Sequence, residues 1–136
     1  MIPGPTAPHA VHVSSLSPTG TGWAQAVVWR ELVTISGQVA LDGGGKVVGR
    51  GSLVTQAECV FRNLDSVLNA TGSSRAGLLR LTVYVTSLEG LADLRAARNR
   101  WLGEVTPAST LVQVAGLVHE DLLIEVDALA VRSSDY

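Results

Sequence analysis

Two carboxylates interrupt an otherwise apolar run near the end of the chain. Glu125 and Asp127 sit in Leu122-Leu123-Ile124-Glu125-Val126-Asp127-Ala128-Leu129-Ala130-Val131. On a strand, the i, i+2 spacing puts both on one face, shared with Leu123, Leu129 and Val131. A carboxylate on such a face needs a partner or a shifted pKa. Two roles suit the pair: an ion pair or backbone hydrogen bonds at a strand edge or subunit interface, or a general acid/base that anchors an N–H group or a water. Ser36-Gly37-Gln38 breaks another apolar run at its centre. A glycine there predicts a bulge or a close backbone approach. Ser36 has no activating His or Lys in the sequence around it, so a nucleophilic role is weak. His9 and His12 lack acidic neighbours at metal-ligand spacing and read as solvated surface. His119, in His119-Glu120-Asp121, is either a solvated turn or a mobile acid/base. Cys59 falls beside a helix's apolar stripe and reads as a small buried hydrophobe rather than a reactive thiol.

These residues must be held by elements the pattern predicts. Residues 1–20 carry four of the five prolines and read as a loose arm, with His9–Val13 as a short edge strand. A single domain then follows over residues 21–136. Gln25–Trp29 and Leu32–Leu41 are β-branched runs joined by Arg30-Glu31, a two-residue hairpin connection. Gly43-Gly44-Gly45 lacks the Lys-Ser/Thr and the helix entry of a phosphate loop and reads as a plain turn. Ser52–Ala70 is a helix with apolar residues at 3.6-residue spacing, capped by Ser52 or Thr55 and stopped by Gly72. Leu78–Thr86 is a strand, Leu88–Leu102 a second helix stopped by Gly103, and Thr110–Leu117 and Leu122–Arg132 two further strands. The order β-β-α-β-α-β-β gives an α+β domain with both helices on one face of a mixed sheet. Several strands are apolar on both faces, and two helices cover only one. The second cover is then another subunit.

Composition narrows the function classes. The chain has 136 residues, 46% hydrophobic and 16% charged, with 10 Lys+Arg against 12 Asp+Glu. The charged share is well under the usual ~25%, which excludes a disordered chain. No basic stripe exists to neutralise phosphates, so nucleic acid is a poor partner. One cysteine excludes a disulfide framework and a Cys-based zinc site. No cofactor or metal is expected. No apolar run reaches the ~18 residues of a membrane span, and no signal peptide is visible. A cytoplasmic protein is the expectation.

The ordered segments carry a resemblance. They are Gly22-Trp23-Ala24-Gln25-Ala26-Val27, Ser36-Gly37-Gln38-Val39, Gln56 through Asn63-Leu64, Thr82-Val83-Tyr84, Gly103-Glu104, Pro107-Ala108 and Ile124 through Ala130. In this order and spacing the chain resembles the RidA/YjgF/YER057c/UK114 family of enamine/imine deaminase-like proteins. The resemblance implies a chorismate-mutase-like fold, a homotrimer with a central barrel, and three clefts between subunits that bind a small molecule. It implies that Glu125 is the glutamate holding the attacking water and that Ser36 and Gly37 line the cleft. Tyr84 is placed with the binding residues.

The family's tyrosine position is Trp23 here. Its carboxylate-binding arginine is Ser109, the small or cysteine residue two further on is Leu111, and a common helix tyrosine is Arg98. Serine supplies neither the charge nor the fork of a guanidinium. The expectation is therefore an acid/base enzyme on an imine, enamine or related reactive intermediate, in specialised metabolism. Standard 2-aminoacrylate deamination is not expected, and a non-catalytic metabolite binder is the alternative. Trp23, Ser109 and Leu111 imply a more apolar cleft suited to a neutral or ring-bearing ligand.

Overall fold

Six strands and two helices follow one another as the hydrophobic periods predict. The computed structural model describes residues 6–133. Strands β1 (His9–Val11), β2 (Ala26–Trp29) and β3 (Leu32–Val39) precede helix α1 (Leu53–Ala70). Strand β4 (Leu78–Val85), helix α2 (Leu91–Leu102), β5 (Ala108–Gln113) and β6 (Ile124–Val131) complete the chain. The sheet order is β1-β2-β3-β6-β4-β5. Every neighbouring pair is antiparallel except β4–β5.

The two β-α-β units differ. Helix α2 joins β4 to β5, parallel neighbours. Helix α1 joins β3 to β4, and β6 is inserted between them, antiparallel to both. The last strand of the chain thus occupies the middle of the sheet. It brings Glu125 opposite Val39 on one side and Tyr84 on the other.

The helices bury one sheet face. Val33, Ile35, Leu81, Val83, Val85, Ile124, Val126, Ala128 and Ala130 form it, packed with Val60, Leu64, Val67 and Leu68 of α1. Phe61 stacks on Trp101 with ring centroids 4.7 Å apart, locking α1 to α2. Cys59 is buried in this core, and burial pushes its thiol upward, as an inert thiol requires. Among the described residues no helix lies on the other face, where Glu125, Asp127, Leu129 and Val131 are all half-buried.

Local chemistry sets the element ends. Ser52 caps α1, its hydroxyl accepting from the Thr55 N–H at 3.2 Å. Gly72 follows the C-cap with φ +78°. Helix α2 begins three residues later than its apolar spacing predicts: Gly90 takes φ +78° at its start, and the Ser87 hydroxyl accepts from the Glu89 N–H to form a separate turn. Strand β5 lies earlier than predicted, at Ala108–Gln113, because it must match β4 in register from Arg80 to Val85. The glycine triplet is a turn, with Asp42 Oδ1 accepting from the Gly44 and Lys46 N–H groups. Among the described residues no helix is long and apolar enough to cross a membrane.

Candidate functional site

The break in β3 is the element that makes room for chemistry. Between Ile35 and Gln38 the ladder with β6 shifts: Ile35 faces Ala128 and Gln38 faces Val126, so β3 carries one extra residue. Alternation slips with it, and Ile35 and Gln38 are both buried. Ser36 fixes the bulge. Its hydroxyl donates to Ala24 O at 2.6 Å and its N–H donates to Gln25 O at 2.9 Å. This ties the segment that carries Trp23 and Gln25 against the strand. Gly37 then meets Glu125: a Cβ at position 37 would lie 2.7 Å from both the Glu125 carboxyl carbon and Oε2. A side chain there would have to push the end of the Glu125 side chain aside.

A cavity of about 400 Å³ opens at this point. Trp23, Gly37 and Glu125 line it, together with Gln25, Gln38, Val39 and Asn63. Leu16, Ser17 and Pro18 of the N-terminal arm, Leu41, and Val118 from the segment before β6 complete the wall. Trp23 is 49% exposed and stands at the rim.

The two carboxylates of β6 take different solutions to the same problem. Asp127 accepts a hydrogen bond from the Tyr84 hydroxyl at 2.9 Å, and that bond is the first cause raising the Tyr84 phenol above its ordinary range. Glu125 has no hydrogen bond or ion pair within the described residues. Its carboxyl is raised, first by burial and then by the negative charge of Asp127. A carboxyl in that condition takes or gives a proton nearer neutrality than an exposed one.

Three amides line the same cavity as the carboxyl. Gln38 Nε2 donates to Ser36 O and to Gln25 Oε1, both at 3.0 Å. Gln25 Nε2 donates to Ser17 O at 3.1 Å, and Asn63 Nδ2 donates to Val39 O at 3.1 Å. Each amide faces a backbone carbonyl, which fixes its orientation. Gln25, Gln38 and Asn63 lie inside the segments that carried the sequence resemblance, yet nothing in their spacing marked them as lining. The usable signal was a polar residue, Gln38, one step beyond a strand glycine.

The remaining expected residues lie elsewhere. Tyr84 acts on Asp127 and does not line the cavity. Ser109 and Leu111 are on the edge strand β5, paired with Leu81 and Val83, outside the cavity wall. Arg98 is on α2, its guanidinium donating to Asn99 Oδ1. His119 belongs to a turn, its Nδ1 accepting from the Asp121 N–H at 3.0 Å. No group of three or more His, Cys, Asp or Glu gathers among the described residues.

Comparison with known proteins identifies relatives of the chain. The model of the endoribonuclease L-PSP family matches residues 14–132. Protein DfrA of Myxococcus xanthus is 34% identical over 101 residues, covering 74% of this chain and 76% of its own. The 2-iminobutanoate/2-iminopropanoate deaminase of Mus musculus is 27% identical over 110 residues, covering 81% of each. Among solved structures, E. coli TdcF with bound serine is 25% identical, with a TM-score of 0.83 over 92% of this chain and 99% of that one.

Proposed function

The chain belongs to the endoribonuclease L-PSP family, the RidA/YjgF group, and from that premise we propose that it is a small-molecule enzyme in which Glu125 moves a proton on an imine, enamine or related reactive intermediate. The observation that carries this reading is the Glu125 carboxyl: half-buried, without a partner among the described residues, raised by burial, and set on the wall of a cavity beside Gly37 and Trp23. Hydrolysis, dehydration, tautomerisation and ring closure all use one carboxyl that accepts a proton and returns it. The mouse relative named as an imine deaminase supports the reaction class, and the serine-bound neighbour supports a small-molecule ligand.

The substrate departs from 2-aminoacrylate. Ser109 stands where the resemblance calls for a carboxylate-binding arginine, and the described residues lining the cavity include no Lys, Arg or His. The same acidic lining is a poor match to an RNA backbone. We further propose a homotrimer whose clefts lie between subunits, a cytoplasmic location and a role in specialised metabolism.

The test measures ammonia and ketone formation from a panel of freshly generated imines, 2-iminobutyrate included. The expected result is turnover of some members, weak activity on 2-iminobutyrate, and loss of turnover in Glu125→Gln with ligand binding kept. Release from 2-iminobutyrate at the rate of a true deaminase would overturn the substrate reading. A panel that is bound but never converted would favour a metabolite-binding protein instead.

A further inference from the structure

The polar groups fixed around the cavity are biased toward accepting hydrogen bonds. Gln38 is 5% exposed, and both hydrogens of its Nε2 are used, by Ser36 O and Gln25 Oε1. Asn63 turns its nitrogen to Val39 O. No described residue donates to Gln38 Oε1 or to Asn63 Oδ1, and among the described residues no buried side-chain polar atom lacks a partner, so both oxygens stay reachable by solvent or ligand. Glu125 adds a carboxylate, and the described residues lining the cavity include no cation. Asp127, two residues along, places a second negative charge nearby, fixed by Tyr84. Trp23 supplies an aromatic face at the rim, with its indole N–H as a donor.

We propose that the cavity selects a cationic, ring-bearing imine without a carboxylate, its N–H⁺ pairing with Glu125 and the oxygens of Gln38 and Asn63 while Trp23 covers the ring. A protonated imine offers the positive charge that the described lining lacks and an N–H donor for its free oxygens. An indole face attracts a cation within about 6 Å of its centroid. A substrate carboxylate would meet Glu125, with the Asp127 charge close behind it and no cation among the described residues of this chain that line the wall, and like charges in a partly desolvated site repel.

The proposal rests on the acid/base reading and names its substrate class. In the step, water attacks the imine carbon while the Glu125 carboxylate takes one proton from it, giving a carbinolamine. The carboxyl then returns that proton to the nitrogen, and as the C–N bond breaks the regenerated carboxylate passes the hydroxyl proton to the departing amine. Iminium plus water become carbonyl plus ammonium, with one positive charge on each side.

Three probes that share one bicycle separate the terms: 3,4-dihydroisoquinoline, protonated at neutral pH; its 1-carboxylate, an imino acid; and the neutral lactam 3,4-dihydroisoquinolin-1-one. Calorimetric titration is expected to rank the cation at least about tenfold tighter than either other probe. Glu125→Gln should abolish that preference, and Trp23→Ala should weaken all three. Tightest binding of the carboxylate or the lactam would overturn the proposal. Turnover is read separately. A preferred cation that is never hydrolysed leaves the proposal standing and removes the enzyme reading; Glu125-dependent hydrolysis of the carboxylate probe alone does the reverse.

Discussion

At the residue scale, Glu125 is held at a cost. Burial and Asp127 raise its carboxyl, so the folded chain binds this proton more tightly than the unfolded chain does. Its contribution to stability is therefore fully present below the ordinary carboxylate pKa and is lost as pH rises through the raised folded value. Glu125→Gln removes that dependence. The variant should match the parent in acid and exceed it in melting temperature at neutral pH. Parallel melting curves across that range would show that burial does not act on this carboxyl. Gly37 is the second determinant. Its methylated variant, Gly37→Ala, would press on the Glu125 carboxyl at 2.7 Å. Overpacking of this kind costs about 1–3 kcal/mol, and displacement of the acid should lower turnover by about a hundredfold. Adding Glu125→Ala to that variant should return much of the stability and none of the activity, as chemical denaturation and rate assays would read.

At the element scale, much of the site follows from one helix residue and one strand defect. Gln56, fully buried on α1, donates to Gly49 O and Asp121 O and accepts from the Leu123 N–H at 2.8 Å. It pins the loops before α1 and before β6, and so sets where β6 enters the sheet. Gln56→Met keeps the volume and strands three backbone groups. A loss of about 2–4 kcal/mol is expected, seen as a lower urea midpoint with unchanged slope.

The sequence shows why such features differ in legibility. The Ser36-Gly37 bulge is readable because a glycine centred in a β-branched run has few other uses. The i, i+2 carboxylates are readable because strand alternation is strict, and the two outcomes foreseen for them are divided between Asp127, which finds Tyr84, and Glu125, which is raised. The amide cluster of Gln25, Gln38 and Asn63 is not readable, since it forms across the segment before β2, strand β3 and helix α1, which are separate in the chain. The early start of β5 is hidden for the same reason: its register belongs to β4.

At the scale of the whole molecule, the scarcity of charge has a location. The helices cover only one face of the sheet. The other carries Leu129 and Val131 half-buried beside Thr34 and Thr82, and Leu32, Leu79 and Val112 are each 40% exposed or more. A lone 136-residue chain gains nothing from an apolar second face, whereas an assembly buries it. Leu129 tests this without touching the helix-side core. It lies between Thr34 of β3 and Arg80 of β4 in the ladder, so a glutamate there has a cation beside it in the single chain. Leu129→Glu should leave the far-ultraviolet dichroism of the chain intact while shifting its mass in solution from three copies toward one. If the cleft also needs a neighbouring subunit, ligand binding should fall with the mass, even though no residue lining the cavity has changed. A parent chain that is monomeric by light scattering would refute the trimer. A Leu129→Glu protein that stays assembled would move the contact to another surface.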